Sequence, residues 1–286
     1  MKSQLVCLVR KRTKGGKLDQ LNLFRHPKPR QDAWRGFFRA ARVNLSKLRR
    51  GKYFVARAAY LVHLLTASGI VPAALAMHEM LQPDCDPRIV FACLLVTTLI
   101  DSVDGPLARR FEVKRNAPSL DGRVIDDLLD YLTFAFIPLM LIWRMDWLPS
   151  RLGFTVMIAM GASLLGFAHR EAKSESRGVF RGFPSYWNLY SIYAGIFSTQ
   201  VSPWLTAITL WGLSVLTVSP VWVLYPNLAP KRFKGAIFIG GMLWTLCLIA
   251  MLLMDYPRSP LWLVYGSLAY PLYYVIVSVV HVRSMK

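Results

Sequence analysis

Residues 88–109 read RIVFACLLVTTLIDSVDGPLAR. From Ile89 to Ile100 no side chain carries a charge, and then Asp101 and Asp104 fall inside what is otherwise a membrane-crossing stretch. A helix needs about 20 largely apolar residues to cross roughly 30 Å of hydrocarbon. Working outward, blocks of that kind recur at 57–79, 88–109, 123–144, 152–169, 183–201, 204–225, 234–254 and 260–281. The fifth is the most dilute, because Asn188 and several Tyr and Trp residues interrupt it, and without it the count falls to seven. With 54% hydrophobic residues gathered in blocks rather than stripes, the chain is expected to be an all-α polytopic integral membrane bundle of about eight transmembrane helices, not a soluble domain.

Basic residues test this map, because Lys and Arg collect on the cytoplasmic side of membrane proteins. Residues 1–57 carry 17 of them, and the loops 109–123, 170–181 and 231–234 together with the C-terminus bring that side to 31 of the 35. Arg88, Arg144, Arg151 and Arg258 remain on the other side, among Glu79, Asp84, Asp86, Asp146 and Asp255. Both termini are therefore predicted cytoplasmic.

The net charge of +19 is concentrated in the first 57 residues, which favours an anionic lipid surface over nucleic acid as the partner. Within that head, Trp34, Phe37, Phe38, Ala41, Leu45 and Leu48 follow helical spacing between Arg35, Arg39, Arg42 and Arg49. The reading is a basic cytoplasmic extension over 1–52, with an interfacial amphipathic helix, ahead of a transmembrane domain over 53–286. Leu5 to Val9 is too short an apolar core for a signal peptide, and Cys7, Cys85, Cys93 and Cys247 have no metal-site spacing.

Charged side chains inside a membrane segment are costly, so they default to a functional reading. Helical spacing puts Asp101 and Asp104 on one face, and Gly122, Asp126 and Asp130 on one face of the next span, with Asp127 about 100° away. Carboxylates converging in a low dielectric repel one another unless a cation sits among them. All-oxygen ligation without His or Cys suits Mg²⁺ or Mn²⁺ rather than Zn²⁺. Such ions serve phosphate-handling enzymes, while the same aspartates alone would also suit a cation relay in a transporter. Gly105 and Ala108 leave room for a ligand against the backbone or for close helix packing, and Arg109 suits a phosphate oxygen.

Taken together, Asp101, Asp104, Gly105, Ala108, Arg109, Gly122, Asp126 and Asp130 stand at a spacing that resembles the signature of the CDP-alcohol phosphotransferases. Twelve residues separate Arg109 from Gly122, longer than is usual in that family and similar to its bacterial phosphatidylcholine synthases. Val62 to Gly69 and Gly182 to Asn188 point the same way. The resemblance implies that Asp101, Asp104, Asp126 and Asp130 hold two divalent ions, Mn²⁺ or Mg²⁺. It implies that Asp130 is also the catalytic base and that Gly105, Ala108, Arg109 and Gly122 bind the CDP-lipid. It further implies CDP-diacylglycerol and choline as substrates, a bacterial inner membrane location with the site facing the cytoplasm, and a homodimer as one possible assembly. Sister enzymes acting on serine, glycerol phosphate or inositol phosphate are the nearest rivals.

Choline's quaternary ammonium suits aromatic faces. Tyr131 follows the last motif aspartate, and Tyr186, Trp187 and Tyr190 lie in the densest aromatic stretch, so these four are the candidates for choline binding. The same residues also suit an interfacial aromatic belt. His63 and Thr66 are expected to hydrogen-bond within the bundle. His169, Arg170 and Lys173, like Arg110, Lys114 and Arg115, divide between phosphate contact and ordinary loop charge.

Overall fold

The computed structural model describes residues 55–169, 173–174 and 178–284. The helix expected over 34–48 and the rest of the basic extension lie outside the described residues, as does Arg170.

Four helices are long and apolar enough to cross a membrane: α1 (Val55–Met80, with a turn at Gly69), α2 (Pro87–Arg110), α9 (Lys231–Leu253) and the pair α10 (Leu261–Ser267) and α11 (Ala269–Arg283), which form one stretch, Leu261–Arg283. Between α2 and α9 the chain forms α3 (Val113–Asn116), α4 (Gly122–Asp130), a wide π turn (Tyr131–Phe136), α5 (Ile137–Arg144), α6 (Val156–Ala168), α7 (Trp187–Gln200) and α8 (Pro203–Val218). Helix boundaries follow local chemistry. Asp86 accepts the Arg88 backbone N–H at 2.9 Å, just ahead of Pro87 in the first turn of α2, and Asp121 does the same for α4 by accepting from Arg123 at 3.1 Å. The Arg88 guanidinium also binds the Asp86 side chain, and this holds its carboxyl below the usual carboxylate range. Arg144, one of the few cations on the acidic side of the charge map, closes the far end of α1 by donating to the carbonyls of Met80, Gln82 and Pro83.

Large apolar side chains such as Leu61, Leu64, Leu99, Phe238 and Trp262 point outward, as expected of a surface that faces lipid. The dilute fifth segment has the opposite character. In α7, Trp187, Asn188 and every residue from Tyr190 to Phe197 are buried, so its polar atoms find partners inside the bundle. Trp187 donates to Ser163 at 2.7 Å, and Tyr193 shares its hydroxyl with Ser267 and accepts from Trp244 at 2.8 Å. The Asn and Tyr content that weakens its hydropathy is the mark of an interior helix.

Gly195 is where this helix meets its neighbours most closely. A β-carbon there would stand 2.8 Å from the Trp147 ring and closer still to the Tyr256 hydroxyl. Gly195→Val should therefore destabilise the fold by about 1–3 kcal/mol through overpacking. The check is the thermal unfolding midpoint in detergent, where a midpoint equal to wild type counts against this packing.

The segment expected as a span over 204–225 ends as helix at Val218, because Pro220 cannot continue it. The chain turns extended, and Trp222–Leu224 becomes one edge of a three-stranded antiparallel sheet with Lys173–Ser174 and Val179–Arg181. Gly182 leaves the middle strand at φ +76°, with its backbone too close to the carbonyls of Leu216 and Thr217 to admit a side chain. The last helix holds this sheet, since Leu224 donates to Ser278 and accepts from Tyr274.

Candidate metal centre

Asp101 projects from α2, with Asp126 and Asp130 from α4. One oxygen of each of these three half-buried carboxylates lies within 4.8 Å of the others, so the trio could hold a metal ion. At that spacing, with an effective dielectric of about 20, each pair repels by roughly 3 kcal/mol, and a divalent cation removes that cost. Asp104 stands one turn on from Asp101 and is only 6% exposed. Its Oδ2 is buried without a hydrogen-bond partner among the described residues. Asp101, Asp104 and Asp126 share a cavity of about 20 Å³, which Thr66, Gly69, Thr97 and Thr133 also line. Hard carboxylate donors and a buried carboxylate oxygen without a partner fit a divalent metal. Asp127 is exposed, away from the cluster.

Two local features set this geometry. Pro106 lies inside α2 two residues after Asp104, so the helix lacks one backbone donor there. Directly after Asp130 the backbone widens into the π turn, a form frequent at functional sites, and Thr133 donates to the Leu129 carbonyl within it.

Gly105 and Arg109 lie together, with the guanidinium folded back over the glycine so that a β-carbon at 105 would stand 3.6 Å from Nη1. Ala108 packs with Ala59, Val62, Val113 and Ala117. The long gap between Arg109 and Gly122 is therefore structured: α3 seats Val113 against α1, and Asn116 donates to the Phe111 carbonyl at 2.8 Å. Arg115 pairs with Glu112 at 3.2 Å on the surface, and Arg110 lies over the Phe111 ring. Gly122 faces His63 so closely that a β-carbon would come within 2.6 Å of the imidazole.

No protein-family model matches the chain. Among curated proteins it is similar to the phosphatidylcholine synthase of Pseudomonas aeruginosa, 36% identical over 166 residues that cover 58% of this chain and 68% of the relative. It is similar to that of Bradyrhizobium diazoefficiens, 33% identical over 208 residues covering 71% and 74%, and to that of Rhizobium meliloti, 28% identical over 250 residues covering 84% and 94%. The chain belongs to the phosphatidylcholine synthase family.

In this phosphatidylcholine synthase family member the four aromatic candidates occupy different settings. Trp187 is fully buried and Tyr190 nearly so, with the Tyr190 hydroxyl donating to the Thr206 carbonyl at 2.6 Å and lying 2.9 Å from the Thr209 hydroxyl. Tyr131 donates to the Met160 carbonyl at 3.4 Å and meets Phe167 edge-on. Tyr186 is half-buried beside Phe134, within electrostatic reach of Asp101 and Asp130 and also of Tyr225 and Tyr270. The structure thus brings Tyr186 toward the aspartates, whereas Trp187 and Tyr190 are engaged in packing. The sequence reading passed over Tyr225 and Tyr270, since each sits far along the chain from the motif. His169 contacts the Arg181 guanidinium at the foot of the sheet.

Proposed function

We propose that the chain transfers the phosphatidyl group of CDP-diacylglycerol to choline, giving phosphatidylcholine and CMP, at the cytoplasmic face of a bacterial inner membrane that it crosses about eight times. The observation that carries this reading is the meeting of Asp101, Asp126 and Asp130, with the unpartnered oxygen of Asp104 beside them, in a chain of this family.

Asp101, Asp104, Asp126 and Asp130 would hold two divalent ions, Mn²⁺ or Mg²⁺. When bound, these ions neutralise the pyrophosphate oxygens and the charge building on the departing CMP. Arg109 with Gly105 steadies a phosphate oxygen, and Ala108 and Gly122, small residues packed against α1, let the helices that carry these groups close around the CDP-lipid. Asp130 takes the proton from the choline hydroxyl as that oxygen attacks the phosphorus bonded to diacylglycerol. The bond from this phosphorus to the CMP oxygen breaks in line, and CMP leaves. No enzyme nucleophile is invoked, since among the described residues no Ser, Cys or His lines the aspartate cavity.

Among the aromatic candidates we assign Tyr186 to the choline ammonium, a reading supported by the nearby negative charge of Asp101 and Asp130. Tyr186→Ala should raise the KM for choline about tenfold, while Tyr186→Phe, which keeps the ring face, stays near wild type. An unaltered choline KM in the alanine variant removes Tyr186 from the acceptor site.

The test of the whole reading is CMP release from purified protein given CDP-diacylglycerol, Mn²⁺ and one alcohol at a time. Release with choline alone is expected. Release only with serine, glycerol phosphate or inositol phosphate replaces the acceptor, and no release with any alcohol favours ion-coupled transport.

A further inference from the structure

The turn that carries Tyr186 is held from both sides by one oxygen. Ser163 of α6 is fully buried, and its hydroxyl oxygen accepts from the Ser185 hydroxyl at 3.2 Å and from the Trp187 indole at 2.7 Å, the two residues that flank Tyr186. Between them the backbone closes in a three-residue turn: Trp187 donates to the Ser185 carbonyl at 2.8 Å, with Tyr186 at φ −74° and ψ 55° as its central residue. Ser185 itself is 3% exposed and sits at φ 57°, in the left-handed region that a residue with a side chain rarely adopts. Two further contacts tie this turn to the elements that carry the aspartates. Tyr186 lies beside Phe134, in the π turn that follows Asp130, with ring centres 6.2 Å apart. Asn188 reaches the Thr98 hydroxyl of α2 at 3.5 Å, one turn before Asp101.

A left-handed serine costs free energy and persists only where its surroundings impose it, and residues of this kind cluster at ligand sites. A serine oxygen offers two lone pairs, and here both are taken up by the residues on either side of Tyr186. We propose that Ser163 is the positioning residue of the acceptor site: through Ser185 and Trp187 it holds the left-handed turn that keeps the Tyr186 ring toward Asp130 for the ammonium of choline. The inference rests on the proposed role of Tyr186. It also gives the buried Trp187 a task, since its indole anchors the turn rather than touching choline.

Ser163→Ala should raise the choline KM about fivefold or more, with kcat at saturating choline and the KM for CDP-diacylglycerol within about threefold of wild type, because two buried donors beside Tyr186 lose their acceptor. Joined to Tyr186→Ala, it should add no more than about twofold, since a residue that acts through another has nothing left to position. Substitutions of Ser185 separate the turn from packing. Ser185→Gly removes more of the side chain than Ser185→Ala, yet glycine takes a positive φ freely, so the choline KM should rise less in the glycine variant than in the alanine variant. Packing alone predicts the reverse. An unaltered choline KM in Ser163→Ala, effects that multiply in the double variant, or a glycine variant as impaired as the alanine variant overturns the proposal. Should Ser163→Ala fail to fold, the order of the two Ser185 variants decides alone. Binding of radiolabelled choline separates this inference from the proposed function. Wild type that releases no CMP removes the reaction, while the same order of choline affinities among these proteins still supports the turn, and equal affinities overturn it.

Discussion

Asp130→Asn should lower kcat at least about a thousandfold while CDP-diacylglycerol still binds to within about threefold of wild type. The amide keeps the shape of the carboxylate and can offer one oxygen to a metal, but it cannot accept the choline proton, and general-base catalysis is worth roughly 10²–10⁴ in rate. The cluster geometry adds a readout that does not depend on turnover. Asp130 lies within 4.8 Å of both Asp101 and Asp126, so removing its charge relieves two repulsive pairs of roughly 3 kcal/mol each. In EDTA the Asn variant should therefore unfold at a higher temperature than wild type, and added Mn²⁺ should narrow or reverse that difference. Full turnover by the variant removes the base assignment. Lost donor binding would move Asp130 from proton transfer to substrate capture.

What the sequence disclosed, and what it did not, follows from the range of the signals. Spacing along α2 and α4 sufficed to bring Asp101, Asp126 and Asp130 to one place and to send Asp127 outward, because the period of a helix is local information. The same spacing put Asp104 on the face of Asp101, and the two line one small cavity with Asp126, but spacing along a helix could not tell that an Asp104 oxygen would be buried without a partner among the described residues. Hydropathy found the outward-facing helices α1, α2 and α9 but ranked α7 lowest, although α7 is the most enclosed helix of the bundle. A window average records how much polar surface a segment carries and not whether Ser163, Thr206 and Ser267 wait across the interface to satisfy it. The small sheet was invisible for a related reason: Val179–Arg181 and Trp222–Leu224 are short and distant in sequence, and only Ser219-Pro220 hinted that the helix must stop. Aromatic density proved a poor guide to accessible rings. Trp187 lies in the densest group and is sealed in the core, whereas Tyr225 and Tyr270, far from that group in sequence, come within electrostatic reach of Tyr186.

Asp104 carries the second large prediction. A carboxylate that is 6% exposed with a buried, unpartnered oxygen is tolerable in two ways: it stays protonated and neutral, or it stays ionised and faces a cation. The two cases respond differently to Asp104→Asn. If a cation is the answer, the substitution removes a full negative charge from the metal site, and the Mn²⁺ concentration that gives half-maximal turnover should rise by about 10–100-fold, with partial recovery of rate at saturating metal. In wild type, EDTA should then abolish turnover, Mn²⁺ or Mg²⁺ should restore it, and Zn²⁺ should not, because the donors are all oxygen. If Asp104 is instead a neutral packing group, the amide is nearly isosteric with it, and the metal dependence of the variant will overlay that of wild type. That outcome would leave Asp101, Asp126 and Asp130 as the only acidic ligands at this centre, too few to hold two ions without oxygens from the substrate pyrophosphate. The same titration thus decides both the standing of Asp104 and whether the second ion arrives with the donor.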